Sequence, residues 1–300
     1  AMEGLVGHTG DMARWIEDCR RFATQAGSPF FDIATDELEV ELAYARGDWE
    51  HGLDVAHRAI ELARSMDERL VRPRLLVWAS LIHLGRGELQ VADVMTREAW
   101  EVSGASHAED RATFVDLHRV VPAHIGRASY ELAQGSWEGA VRIAEAGLRI
   151  ADHSGYIVWA IHHIMPIIAE ASIHARDLER ASVVGARMRR EADRVGHALG
   201  RAWADACDAV LTWLNADAET GARSLRQGAE ALETIPMTYE AARLRRQLAG
   251  RLAEIGDLEG AGDEQERALA VFRRLGARPE MEKVRGQFEE IGRIPPNESG

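Results

Sequence analysis

The chain has 300 residues, of which 36 are Lys or Arg and 49 are Asp or Glu, so its formal net charge is −13. This charge argues against nucleic-acid binding by the chain, because nonspecific affinity comes from neutralising phosphates with Lys and Arg. Hydrophobic residues make up 46% of the chain, which is enough for a packed core. No uncharged run reaches the roughly 18 apolar residues of a membrane span, so no membrane partner is expected.

Apolar periodicity and the placement of helix breakers predict an all-α chain. Residues 1–10 are predicted to be disordered, and Ala1-Met2 resembles a remnant of an expression vector. Residues 11–292 are predicted to form one helical-repeat domain, and residues 293–300 a linker or tail. The expected helices lie near 11–26, 32–46, 49–66, 72–85, 88–103, 110–134, 137–153, 156–175, 178–195, 198–215, 219–233, 237–255, 258–275 and 279–291.

A small residue recurs five positions after the first residue of a tight turn, six times along the chain. The spacings between these small residues are 40, 48, 41, 41 and 39 residues, and the residues themselves are Gly52, Ala92, Ala140, Ala181, Ala222 and Ala261. Ala or Gly at such a position lets the second helix of a hairpin approach the first closely. A period in this range is typical of a solenoid in which stacked hairpins bury a shared core.

This pattern resembles the tetratricopeptide (TPR) hairpin, although the units here exceed the usual 34 residues of that repeat. The expected fold is therefore an all-α, right-handed superhelix of about six to seven TPR-like hairpins, with the first and last helices as caps.

Sequence motifs for catalysis or metal binding are absent. Lys283 is the only lysine and Val284 follows it, which leaves no Walker A loop and no Schiff-base lysine. His162 and His163 are adjacent, and neighbours on an α-helix point about 100° apart, which disfavours one shared ion. Cys19 and Cys207 have no CxxC partner, as in a reduced, cytoplasmic protein. The sequence thus predicts a non-enzyme with no cofactor and no metal.

The segment from Ala268 to Glu280, preceded by residues 252–261, resembles the last repeat of the helical sensor region in bacterial LuxR-type, MalT-like transcriptional regulators. In that family a switch ATPase precedes a TPR-like superhelix, and a helix-turn-helix follows it. The resemblance implies that this chain is an excised sensor region. It would couple binding of a small-molecule effector or a regulatory protein or peptide to the attached ATPase and DNA-binding domains.

A freestanding TPR scaffold for protein–protein interaction is the alternative function, and self-association through exposed faces is left open. Reading the coding sequence on either side of the chain would distinguish the two.

Superposing the repeats predicts which residues line the concave groove. The candidate ligand- or partner-binding residues are Trp159, His163, Glu170, His118, Arg74, Tyr239, Arg243 and Arg246. Pro122 and Pro166 lie within predicted helices, where proline removes a backbone hydrogen bond and bends the helix. We expect these bends to open a pocket with Trp159 as its stacking wall.

Packing is the competing interpretation of the same stripe, because aromatic residues at helical spacing more often form a core. One predicted helix carries four arginines that could form a basic patch, namely Arg243, Arg245, Arg246 and Arg251. A solvated face paired with Glu233, Glu240 and Glu254 is the favoured interpretation of these arginines.

Overall fold

A computed structural model of the chain describes residues 9–107, 114–155, 157–215 and 217–290. These ranges contain fourteen α-helices and no β-strand, so the all-α prediction is confirmed. A 3₁₀ turn at Ala105–His107 and a π-helical turn at Ala160–Ile164 complete the described secondary structure. The helices are α1 Thr9–Ala26, α2 Pro29–Arg46, α3 Trp49–Ser65, α4 Arg72–Arg86, α5 Leu89–Ser103, α6 Phe114–Ala133, α7 Trp137–Ser154, α8 Met165–His174, α9 Leu178–Val195, α10 Ala198–Asn215, α11 Ala218–Thr234, α12 Thr238–Glu254, α13 Leu258–Leu275 and α14 Arg278–Glu290.

The ends of the chain follow the prediction only in part. Helix α1 begins at Thr9, so residues 9 and 10 are helical rather than irregular. The remainder of the predicted N-terminal segment, and the tail predicted for residues 293–300, lie outside the described residues. Among the described residues, no helix combines the length and the apolar character needed to cross a lipid bilayer.

Helices α2 to α13 form six hairpins stacked in sequence order, with α1 before them and α14 after them. Each second helix is amphipathic and packs its small residues against the first. Ala92, Ala140 and Ala181 are fully buried, as predicted. A Cβ added at Gly147 would lie 2.7 Å from the Cβ of His124, so α6 and α7 approach too closely there for a larger residue.

The turns between paired helices use residues that tolerate a left-handed backbone. Gly47 ends α2 with φ 76°, and its amide donates to carbonyl groups of the preceding turn. Asp257 begins α13, where its side chain accepts a hydrogen bond from the Gly260 amide. The tight turns that precede the recurrent small residues are therefore a helix stop followed by a helix start.

The first helices of successive hairpins also contact one another and form an inner layer. Helices α2, α4, α6, α8 and α10 touch in this order, as do α12 and α14. The chain then closes on itself, because α12 contacts α2 and α14 contacts α4. One hydrophobic core accordingly includes Val40 of α2 and Trp78 of α4 together with Phe272 and Phe288 near the C-terminus.

Candidate functional site

The inner layer holds a group of buried polar and aromatic side chains, which we call the central cluster. It consists of Glu37 and Glu41 from α2, Arg74 and Trp78 from α4, His118 from α6, and Trp159, His162 and His163 from the segment before α8. Glu37 is fully buried, forms an ion pair with Arg74, and accepts a hydrogen bond from Trp78 Nε1 at 2.7 Å. A buried carboxylate is stable only when it is paired in this way.

Trp159 lies at the middle of the central cluster. The Arg74 guanidinium carbon lies 5.4 Å from its ring centroid, and His118 contacts the same ring edge-on at 5.5 Å. Burial and the positive charge of Arg74 both lower the pKa of His118. Trp159 is only 3% exposed. The open stacking wall expected of it is therefore not seen, because its neighbours in the inner layer cover its ring.

A second group, which we call the closing cluster, lies where α12 and α14 return to the first hairpins. It consists of Tyr44, Glu170, Tyr239, Glu240, Arg243, Arg246 and Glu280. Arg243 forms an ion pair with Glu170 and lies 5.8 Å from the Tyr239 ring, while Arg246 Nε donates to Glu280 at 2.7 Å. All of these charged residues except Glu240 thus have a partner of opposite charge.

The pKa values of the closing cluster reflect this pairing. Burial raises the pKa of Glu280, but Arg246, Arg243 and Lys283 outweigh it and hold this pKa at about 2. The pKa of Glu170 is likewise lowered by Arg243 against the effect of burial. Glu240 has no such cation in contact, and burial raises its pKa although the hydrogen bond from Tyr44 acts in the opposite direction.

A short line of contacts, which we call the seam, joins the first two hairpins to the end of the chain. The Tyr44 hydroxyl donates to Glu240 at 2.6 Å, and the Thr238 hydroxyl donates to the Arg46 carbonyl oxygen at 3.0 Å. Further along, Arg86 Nε donates to the Leu275 carbonyl oxygen at 3.3 Å. These bonds connect residues about 190 positions apart in sequence, so they exist only when the superhelix is closed.

The eight predicted site residues all lie on the inner layer, but in two groups. Trp159, His163, His118 and Arg74 belong to the central cluster, and Glu170, Tyr239, Arg243 and Arg246 belong to the closing cluster. Two surface depressions of the described residues, one beside Trp100 and Arg127 and one beside Trp15, are lined by other residues. A role in binding stays a prediction for the eight residues, since in this closed form they contact one another.

The arginines of α12 differ from the predicted solvated face. Arg245 and Arg251 do pair with Glu233 and Glu254, as the sequence suggested, but Arg245 is buried and also pairs with Glu264. Arg243 and Arg246 instead face the interior, and Glu240 binds Tyr44 rather than an arginine. The reason is that α12 packs on both sides, against its own hairpin and against α2 across the seam.

The two prolines act differently. Pro122 lies within α6, which continues through it from Phe114 to Ala133. Pro166 lies at the start of α8, directly after the π-helical turn at Ala160–Ile164. The Met165 amide bonds to the Ala160 carbonyl, five residues back, and Pro166 has no amide hydrogen with which to restore the α-helical pattern.

This wider turn changes the directions of the two adjacent histidines. The ring centroids of His162 and His163 lie 4.0 Å apart, and ligand atoms of both rings lie within 4.8 Å of a Glu41 carboxylate oxygen and of each other. The sequence-based expectation that the two rings diverge is therefore wrong. Burial lowers the pKa of His163 to about 3, so this imidazole is neutral at physiological pH.

No family model and no curated protein sequence matches this chain. Its function is therefore argued from its own geometry. Sequence reasoning identified the inner layer but missed its closure, and with it the roles of Tyr44, Glu240 and Glu280. The available signal was the presence of polar residues at groove positions in both end hairpins. They are Glu37, Glu41 and Tyr44 in the first hairpin and Tyr239, Arg243 and Arg246 in the last.

Proposed function

We propose that this chain is a non-catalytic sensing module of a bacterial transcriptional regulator. A small-molecule effector or a regulatory protein would bind at the inner layer and change how the first and last hairpins meet. That change would be transmitted to attached ATPase and DNA-binding domains. The observation that supports this proposal is the seam. It holds the first two hairpins against the end of the chain, although these segments are distant in sequence.

The seam suits such a role because each of its polar contacts is individually weak. It contains single hydrogen bonds, each of which contributes about 0.5–1.5 kcal/mol, and the contact of Tyr239 with Trp49, whose ring centroids lie 5.2 Å apart. An effector shifts an equilibrium only through its different affinity for the two states. A few kcal/mol of such preference would be enough to alter a closure of this kind.

The proposal is tested in the whole regulator with a transcriptional reporter. Tyr44→Phe combined with Thr238→Val removes two hydrogen bonds of the seam and should change the reporter output in the absence of effector. Tyr130→Phe is the matched control, because the Tyr130 hydroxyl bonds to Asp93 within the stack and away from the seam. Equal output from the seam variant, the control and the wild type would contradict the proposal.

The second candidate function is a freestanding scaffold for protein–protein interaction. It is favoured by exposed apolar residues on two outer helices, where Val94 of α5 is 65% exposed and Val183 of α9 is 63% exposed. The coding sequence on either side of the chain separates the two functions. An upstream ATPase with a Walker lysine and a downstream helix-turn-helix would favour the regulator. Absence of both domains would favour the scaffold.

The sensing proposal also requires that this chain does not itself read DNA. Its net charge of −13 opposes phosphate binding, and most arginines of the inner layer are already paired with carboxylates. A mobility-shift assay at physiological salt should detect no specific complex. A sequence-specific complex of sub-micromolar affinity would contradict the assignment.

A further inference from the structure

We propose that Glu41, His162 and His163 form a binding site for one divalent transition-metal ion of the Zn²⁺ class. The site lies between α2 and the π-helical turn before α8, on the inner layer. This site is independent of the proposed sensing role, because it requires only the positions of the three side chains.

The three side chains supply ligands that suit such an ion. Their ligand atoms all lie within 4.8 Å of one another, and each residue offers one. Two imidazole nitrogens and one carboxylate oxygen are a common donor set for Zn²⁺ and for related first-row ions. In tetrahedral coordination, with bonds of about 2.0–2.1 Å, neighbouring ligand atoms lie about 3.3 Å apart. The site therefore has to contract by at most about 1.5 Å, which rotation of the Glu41 side chain and the two rings can supply.

Two of the three side chains carry a buried polar atom without a hydrogen-bond partner. These are Glu41 Oε2 and His163 Nε2, in residues contributed by different helical segments. Glu41 itself is 9% exposed. A buried polar atom without a partner is destabilising and calls for an explanation. One ion placed between these atoms would give both of them a partner.

A histidine that binds a metal ion through one ring nitrogen usually donates a hydrogen bond from the other, and His162 has an acceptor for such a bond. Its Nδ1 lies 2.9 Å from the Val158 carbonyl oxygen, which can accept the proton that this nitrogen carries. Such a bond fixes the ring and leaves Nε2 with a lone pair for the ion. The Gly200 amide donates to His197 Nδ1 at 3.1 Å, so the proton of neutral His197 is on Nε2, which lies 2.9 Å from His162 Nδ1. With a proton on both of these nitrogens, each ring donates to the Val158 carbonyl oxygen, which has two lone pairs.

The local backbone explains why these ligands converge. The π-helical turn brings adjacent histidines together, and such turns occur frequently at functional sites. An ion here would tie the first hairpin to the fourth across the interior of the superhelix. Because three protein ligands do not fill a tetrahedral shell, one position would remain for water or another small ligand.

The test uses the whole chain, first freed of metal with a chelator. Zn²⁺ is titrated by calorimetry, and Co²⁺ is used as a spectroscopic probe of coordination. We expect one Zn²⁺ per chain with micromolar or tighter affinity, a visible Co²⁺ absorption band typical of tetrahedral coordination, and a melting temperature raised by roughly 5 °C or more at 100-fold excess over the dissociation constant.

Glu41→Gln and His163→Gln should each weaken Zn²⁺ binding by at least about tenfold and abolish the Co²⁺ band. His118→Gln is the matched control, because this histidine also lies on the inner layer but outside the proposed ligand set. Circular dichroism verifies that each variant is folded. Absence of a Co²⁺ band in the wild-type chain would overturn the proposal. Equal Zn²⁺ affinity in the wild type and both ligand variants would also overturn it, because the ion would then be bound by other histidines.

Discussion

The ion pair between Arg74 and Glu37 offers the sharpest test of the buried central cluster. Arg74→Met removes the cation, keeps most of the side-chain volume, and leaves the fully buried Glu37 with the hydrogen bond from Trp78. Breaking a buried pair by removing one partner costs about 3–5 kcal/mol, because the remaining charge is uncompensated. For a chain of this size, that loss corresponds to a drop in melting temperature of roughly 5–8 °C.

The assay is urea unfolding followed by circular dichroism, in a buffer that contains chelator so that metal ions do not contribute. Arg21→Met is the matched control, because Arg21 pairs with Asp18 on the exposed face of α1. Such a surface pair contributes about 0–1 kcal/mol. The double variant Arg74→Met with Glu37→Gln should recover much of the loss, since it leaves no unpaired charge.

A loss of less than about 1 kcal/mol for Arg74→Met, equal to that of the surface control, would refute this reasoning. It would mean that water reaches Glu37 and that the inner layer is open rather than closed.

Three further predictions concern the hairpin contacts, the seam and the closing cluster. Ala140→Leu should overpack the contact between α6 and α7 and destabilise the chain by about 1–3 kcal/mol, and an unchanged melting temperature would contradict the repeat register. Tyr44→Phe should cost about 1–3 kcal/mol in urea unfolding because it leaves the buried Glu240 carboxyl group without its donor, whereas Tyr130→Phe should cost less. Glu280→Gln should be destabilising at pH 7 by up to about 3 kcal/mol, because the pKa of this carboxyl group is near 2 in the folded chain. That stabilisation is present above pH 4.5 and is lost as the pH falls toward 2. The free energies of unfolding of the variant and the wild type should therefore converge in acid. A difference between them that stays constant with pH would contradict the pairing.

The sequence predicted the helices and the hairpin contacts because both depend on local patterns. Helix ends follow from Gly and Asp at the turns, and the burial of Ala140 follows from the recurrence of small residues at one position of every hairpin. These features need no knowledge of how distant hairpins are placed. They were predicted correctly for that reason.

Closure of the superhelix could not be predicted in the same way. It depends on the small rotation between successive hairpins, and six hairpins add their rotations before Tyr44 can meet Glu240. The open groove and the solvated arginine face were both inferred from a stack that does not return on itself. Once the ends meet, Arg243 and Arg246 become interior residues with carboxylate partners.

The π-helical turn is a second feature that periodicity alone does not reveal. Helical spacing assigns His162 and His163 to different directions, as in any regular α-helix. A proline four residues after His162 was the available signal, because it lacks the amide hydrogen that the regular pattern requires there. Pro166 was read as a bend, whereas the structure has a wider turn that brings the two rings together.

The central claim is that the first and last hairpins meet and fill the inner layer with the side chains of the chain itself. Small-angle X-ray scattering of the wild-type chain tests it most directly. A compact chain of 300 residues has a radius of gyration of about 19 Å. The account predicts a value close to this and a scattering profile that matches the closed structure. A clearly larger radius, with the profile of an elongated open superhelix, would contradict it.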